Sequence, residues 1–221
     1  MIIKSLALND FRNIQDMNIE FDKGLNIIYG DNAQGKTNIL ESIYVAGTTR
    51  SHKGSKDKEM IRIGEDEAHI RLILEKDGLD RKIDMHLKKS KSKGVAIDGI
   101  PVHRSTDVFG IVSLIFFSPE DLSMIKDGPA ERRRFIDMEL SQIEKIYLYN
   151  LSKYNKILLQ RNNLLKQIYA DSRLSDTLDI WDEQLITTGT EIIKSRRKFI
   201  GELGKIIKPI HERLTGGKEE L

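Results

Sequence analysis

The segment Gly30-Asp31-Asn32-Ala33-Gln34-Gly35-Lys36-Thr37 constrains the fold of this chain more than any other. It fits G-x-x-x-x-G-K-[ST] at every fixed position, a pattern that needs a strand before it and a helix after it. The flanks agree with that need. Leu25–Tyr29 is a compact apolar run that reads as a strand, and Asn38–Ala46 reads as a helix. Gly30 and Gly35 let the backbone curl so that its N–H groups face phosphate oxygens. The helix adds the positive end of its dipole. Lys36 is placed for the β- and γ-phosphates, and the Thr37 hydroxyl for the Mg²⁺ that bridges them. The expected ligands are ATP and Mg²⁺. The expected binding set is Gly30, Asp31, Asn32, Ala33, Gln34, Gly35, Lys36, Thr37 and Asn38, with Thr37 as the metal ligand.

A guanine-reading Asn/Thr-Lys-x-Asp is absent, since Asn155-Lys156 runs on into Ile157-Leu158. A second acidic site at the end of an apolar strand is also missing. Ile111–Phe117 reads as a buried strand, but Ser118-Pro119 intervenes before Glu120-Asp121. Asp182-Glu183 follows Ile180-Trp181, in a segment of helical period. Without that carboxylate nothing completes the metal site or positions water. The chain reads as half of a nucleotide machine, with no catalytic residue assigned.

The bulk numbers exclude other chemistries. There are no cysteines among the 221 residues, so disulfides, Cys-ligated zinc and thiol catalysis are out. His52, His69, His86, His103 and His211 show no metal-ligand spacing. Lys and Arg total 36 against 34 Asp and Glu, a net charge of +2 that does not by itself point to nucleic acid. No signal peptide and no run of 18 apolar residues is seen, and the default expectation is a cytoplasmic protein.

The chain changes character between its two halves. Ile2–Leu8, Asn18–Phe21, Ala68–Glu75 and Arg81–Leu87 read as strands, the last two as a hairpin about Asp77-Gly78. Gly94–Ile97 and Ile100–His103 flank Asp98-Gly99, the strongest hairpin signal present. Asp127-Gly128-Pro129 reads as a helix start. Beyond it, Tyr147, Leu151, Tyr154, Leu158, Leu165 and Ile168 recur at helical intervals. Trp181, Leu185, Thr188, Ile192, Phe199, Leu203, Ile206 and Ile210 do the same. The polar linker Ala170–Asp176 joins them into an antiparallel helical hairpin. Lys88–Lys93 reads as an exposed loop, and Lys194–Lys198 as a solvated helix face.

A family resemblance rests on several segments together. They are Asp10-Phe11-Arg12-Asn13, the GDNAQGKT loop, Leu40-Glu41-Ser42-Ile43 and Phe117-Ser118-Pro119-Glu120-Asp121-Leu122. Gly128-Pro129-Ala130-Glu131-Arg132-Arg133-Arg134-Phe135-Ile136-Asp137 and Gln160-Arg161-Asn162 complete the set. In these the chain resembles the RecF family of bacterial recombination mediators. The resemblance implies an ABC-type ATPase related to the heads of structural-maintenance-of-chromosomes proteins. It implies ATP-dependent dimerisation and binding to DNA at single-strand/double-strand junctions. It further implies work with RecO and RecR to load RecA at gaps. The implied fold is α/β: a P-loop ABC-ATPase-like lobe with a mixed sheet, over residues 1–126, and a helical second lobe with a long antiparallel hairpin, over 127–221. The family's signature and acidic-strand motifs are not found, so an N-terminal fragment is expected. Such a fragment should bind ATP more convincingly than it hydrolyses it.

The resemblance also assigns roles outside the loop. Arg12 and Asn13 match a pair that approaches the nucleotide in related heads. Arg50, with Lys53, Lys56 and Lys58 around it, sits where related heads keep an arginine near phosphate or DNA. Arg132, Arg133 and Arg134 cover nearly a whole helix circumference and oppose the helix dipole, so DNA phosphate, a partner or an ion pair should offset them. Two other functions stay open on the residues alone: a P-loop kinase of a small substrate, and a structural module that nucleotide merely stabilises.

Overall fold

Both Asp-Gly pairs turn the chain as their chemistry demands. Asp77 and Gly78 have φ of 54° and 78°, and Asp98 and Gly99 have 54° and 84°. Two successive positive φ values match the right-handed twist of the flanking strands. Lys76 therefore pairs with Leu79, and Ile97 with Ile100. This is a computed structural model, described for residues 1–122, 126 and 128–220. It forms two compact units, Met1–Phe117 and Ser118–Leu221.

The first unit is built on strands β1 (Ile2–Phe11), β2 (Ile14–Glu20), β3 (Glu67–Lys76), β4 (Leu79–Lys88), β5 (Gly94–Ile97) and β6 (Ile100–Pro101). Their order across the sheet is β2-β1-β3-β4-β5-β6. Alternation sorts the side chains by face. Ala68, Ile70, Leu72 and Leu74 of β3 and Ile83, Met85 and Leu87 of β4 are buried. On that face they join Leu6, Leu8 and Phe11, and helix α1 (Lys36–Thr48) adds Ile39, Val45 and Ala46. Each such aliphatic side chain contributes about 1.5–3 kcal/mol by leaving water.

The α/β class, with a sheet lobe and a helical lobe, holds. Two expected strands do not. Leu25–Tyr29 and Ile111–Phe117 have no ladder, apart from an isolated bridge between Phe109 and Val112. Every ladder among the described residues is antiparallel. An apolar run becomes a strand only where another edge takes its N–H and C=O groups. Here none does. Tyr29 is 89% exposed and Ile115 92%, with Leu25, Ile27 and Phe117 also facing out. The last expected strand is shorter than read, ending at Pro101, although Val102 N–H still donates to Val95 O at 2.9 Å.

The second unit is helical. Helices α2 (Pro129–Ile143), α3 (Lys145–Ile168) and α4 (Leu178–Thr215) pack around Leu140, Tyr147 and Ile192. Of the expected helix start, Asp127 lies outside the described residues. Gly128 is the N-cap and Pro129 begins the helix. A 3-10 turn, Ser172–Thr177, joins α3 to α4 within the expected polar linker. The hairpin is antiparallel, and its contacts recur every seven residues on both helices. Tyr147 meets Arg196, Tyr154 lies against Gly189, and Arg161 meets Asp182. A Cβ at Gly189 would come 3.2 Å from the Tyr154 ring. Within Lys194–Lys198, Lys194, Arg197 and Lys198 are exposed as expected, but Arg196 turns inward. It donates from Nη2 to both Asp137 oxygens, at 2.6 and 2.9 Å, and from Nε to the Tyr147 hydroxyl at 3.1 Å. No helix among the described residues is long and apolar enough to cross a membrane.

Candidate nucleotide-binding site

The phosphate-loop motif lies between the exposed segment Leu25–Tyr29 and helix α1. Gly30 has φ of 141° and Gly35 of 96°, conformations that an L side chain rarely adopts. Gly35 is the N-cap of α1, and no side chain caps it. No acidic residue occupies the first turn. The helix thus offers its orphan N–H groups and the positive end of its dipole to whatever lies beyond the loop. That arrangement fits a phosphate group. Lys36 leans back over the loop, its Nζ donating to Gly30 O at 2.6 Å and Asp31 O at 2.5 Å. Thr37 is exposed at the same end, its hydroxyl available to a cation.

Ala33 also has a positive φ, 64°. A side chain there costs what glycine would not. The carbonyl of Ala33 is held from below by Asn13, whose Nδ2 donates to it at 3.0 Å. Asn13 Oδ1 in turn accepts from Asn38 Nδ2 at 2.8 Å. A Cβ added at Gly35 would come 2.9 Å from that same Oδ1. Gly35 is therefore required twice, for its φ and for the close approach of Asn13.

Arg12 and Asn13 form the two-residue turn between β1 and β2, where Phe11 pairs with Ile14. Asn13 reaches the loop, and Arg12 turns to α1. Arg12 Nε and Nη2 donate to Glu41 Oε2 and Oε1 at 2.9 and 2.7 Å. Arg12 also donates to Glu59 O at 2.7 Å and Ser55 Oγ at 2.8 Å. Glu41 is fully buried and accepts a further bond from Ser51 Oγ at 2.6 Å. Burial pushes the Glu41 carboxyl up, but the bonds from Arg12 and Ser51 outweigh it and hold the group below the usual carboxylate range. The guanidinium is thus engaged within the protein. Sequence reasoning gave Glu41 no role. The signal was a carboxylate in a helix whose neighbours, Ile39, Ser42 and Val45, are all buried.

The expected DNA-contact residues fall in both units. Arg50, Lys53 and Lys56 are exposed on the segment after α1. Its backbone is pinned by Lys53 N–H to Ser51 Oγ at 3.1 Å and Lys56 N–H to Glu59 Oε2 at 2.9 Å. Arg132, Arg133 and Arg134 are exposed in the first turns of α2, with Arg134 3.6 Å from Glu131. Of the acidic pairs, Asp182 is joined to Arg161 across the helical hairpin. Asp121 accepts from Ser118 N–H at 2.6 Å, and the side chain of Glu120 lies outside the described residues.

Comparison with known proteins agrees with this geometry. A family model described as an AAA domain matches residues 5–215. The chain is 61% identical over its whole length to a protein of Agathobacter rectalis named DNA replication and repair protein RecF, and 43% identical to the Clostridium tetani protein of that name. It spans 61% and 60% of their lengths. Among solved structures it is similar to the recombination mediator protein RecF-ATP in the RecFOR pathway, with TM-score 0.94 and 34% identity over 97% of this chain and 58% of that one. A structure described for ATP-driven dimerization and DNA-stimulated activation of SMC ATPases shares the fold, with TM-score 0.50 and 21% identity over 62% of this chain and 98% of that one. The chain belongs to the AAA domain family, whose model covers nearly all of it.

Proposed function

We propose that this chain forms the nucleotide-binding part of an ATP-dependent DNA-binding protein of recombinational repair. The observation that carries the reading is the uncapped α1 N-terminus behind Gly30–Thr37, with Lys36 beside it and no acidic residue in its first turn. ATP phosphates would take the loop N–H groups and Lys36, and Thr37 would hold Mg²⁺ between them. The relatives named RecF, one solved with ATP, support the same ligand. Arg12 and Asn13 act on the nucleotide through the loop and α1, which they brace.

The same relatives support a reading of the whole protein's work. We read residues 1–126 as the ATPase lobe's N-terminal part and 127–221 as its helical lobe. The protein binds gapped or junction DNA in the cytoplasm, through phosphate contacts from Arg50, Lys53, Lys56 and the Arg132–Arg134 cluster. It dimerises around ATP and works with RecR and RecO to bring RecA to gaps. Fluorescent ATP titration of this chain and of Lys36→Met tests the first step: the variant loses binding, and unchanged binding overturns the P-loop assignment. Salt-sensitive binding of the full-length protein to gapped DNA, strengthened by ATP, tests the second. ATP-dependent phosphorylation of a metabolite would instead favour a small-substrate kinase.

A further inference from the structure

Strands β3 and β4 leave one sheet face outside the α1-covered core. On it the Asp77-Gly78 turn sets a specific juxtaposition. It pairs His69 directly with His86, and alternation brings Glu67, two residues before His69, to the same face. The two imidazoles stack with centroids 3.9 Å apart and planes at 25°. His86 Nε2 lies 2.5 Å from Glu67 Oε2. One donor atom from each of the three lies within 4.8 Å of the others. His69 and His86 line a shallow basin of about 520 Å³, with Asn9, Asp16 and Asp84 also in its wall.

We propose that Glu67, His69 and His86 form a binding site for a zinc-class divalent cation. Around a tetrahedral zinc with Zn–N of about 2.0–2.1 Å, donor atoms stand roughly 3.3 Å apart. The three donor atoms start within 4.8 Å of one another, and all three side chains are at least partly exposed and so able to adjust toward that spacing. Two imidazoles and one carboxylate form a set that zinc, cobalt(II) and nickel(II) accept, while Mg²⁺ prefers oxygen alone. Three protein ligands leave a fourth position for water or an outside group. Lys88 Nζ, 3.4 Å from Glu67 Oε1, opposes the cation but holds the other carboxylate oxygen, so Glu67 keeps Oε2 for the metal. The site is distinct from the P-loop, whose cation ligand is a hydroxyl.

The test is cobalt(II) titration of this chain in excess Mg²⁺, followed by visible absorption, with zinc as competitor. A saturable ligand-field band displaced by zinc is expected. His69→Ala and His86→Ala should abolish it, and His103→Gln and His211→Gln should leave it unchanged. Absence of the band, or its survival in both alanine variants, overturns the site. In the unaltered chain, the imidazole NMR signals shifted by cobalt should be those of His69 and His86. A shift confined to His52, His103 or His211 overturns it as well.

Discussion

Arg12 and Glu41 form a two-pronged ion pair that ties the β1–β2 turn to the phosphate-loop helix, with Glu41 fully buried beneath it. A buried carboxylate that loses its partner is strongly destabilising, by about 3–5 kcal/mol. Arg12→Met should therefore lower stability by that order in urea denaturation. The linkage has a definite sign. Glu41 is held below its unfolded value, so its contribution is complete above the usual carboxylate range and fades as pH falls through its lower folded value. Glu41→Gln should show a shallower loss of stability on acidification than the unaltered chain. An equally steep acid limb would remove Glu41 from the account.

Ala33 sits at φ 64°, where a Cβ costs about 1–2 kcal/mol. Glycine there relieves that strain but loosens the unfolded chain by about 0.4–1 kcal/mol. The first effect is larger, so Ala33→Gly should raise stability by about 0.5–1 kcal/mol, the difference of those two figures. A fall in Tm would show that the loop opens readily enough to leave no strain.

Asn13 contacts the loop at Ala33 and the helix at Asn38. Asn13→Ala removes both bonds, each a net contribution of about 0.5–1.5 kcal/mol. On the nucleotide reading, affinity for fluorescent ATP should drop about tenfold, equivalent to about 1.4 kcal/mol, with circular dichroism unchanged. Full affinity in this variant would mean that the loop holds its shape alone.

In the helical unit Tyr147 donates its hydroxyl proton to Asp137, which Arg196 also grips. Burial, and then the carboxylate, raise the Tyr147 hydroxyl well above the ordinary phenol range. Tyr147→Phe should cost about 1–2 kcal/mol, and Arg196→Met about 1.5–3 kcal/mol because it leaves Asp137 without its cation. In ultraviolet titration of the folded chain, Tyr147 should stay protonated above the ordinary phenol range, and Tyr147→Phe should remove that late step. Ionisation of Tyr147 within the ordinary phenol range would remove the network.

Leu25, Ile27, Tyr29, Ile115 and Phe117 present apolar side chains to water. Exposed apolar side chains of this kind bind hydrophobic dye. Ile27→Thr with Ile115→Thr should cut anilinonaphthalene sulfonate fluorescence while changing stability by less than about 0.5 kcal/mol per site, as surface substitutions do. A large loss of stability would mean that these residues are packed in solution.

What the sequence alone determined is the local chemistry. The eight residues of the phosphate loop carry their own backbone requirements. Asp77-Gly78 and Asp98-Gly99 set two hairpin registers because only a few residue types accept two positive φ values in succession. The helical period of residues 145–215 shows as α3 and α4, with Tyr147, Thr188 and Ile192 buried on it while Ile206 and Ile210 stay exposed. The tertiary structure decided whatever depends on a distant partner. The apolar run Leu25–Tyr29 is legible, but whether it is a strand depends on a neighbouring edge. Arg12 is legible as special, but its engagement with Glu41 depends on how the β1–β2 turn meets α1. Arg196 belongs to a charge run that reads as solvated until α2 brings Asp137 to it. His69 and His86, seventeen positions apart, become neighbours only through strand pairing. Dihedral preference and periodicity act within a few residues and are written in order along the chain. A salt bridge, a ladder or a ligand cluster needs two segments to arrive together, and only folding brings them there.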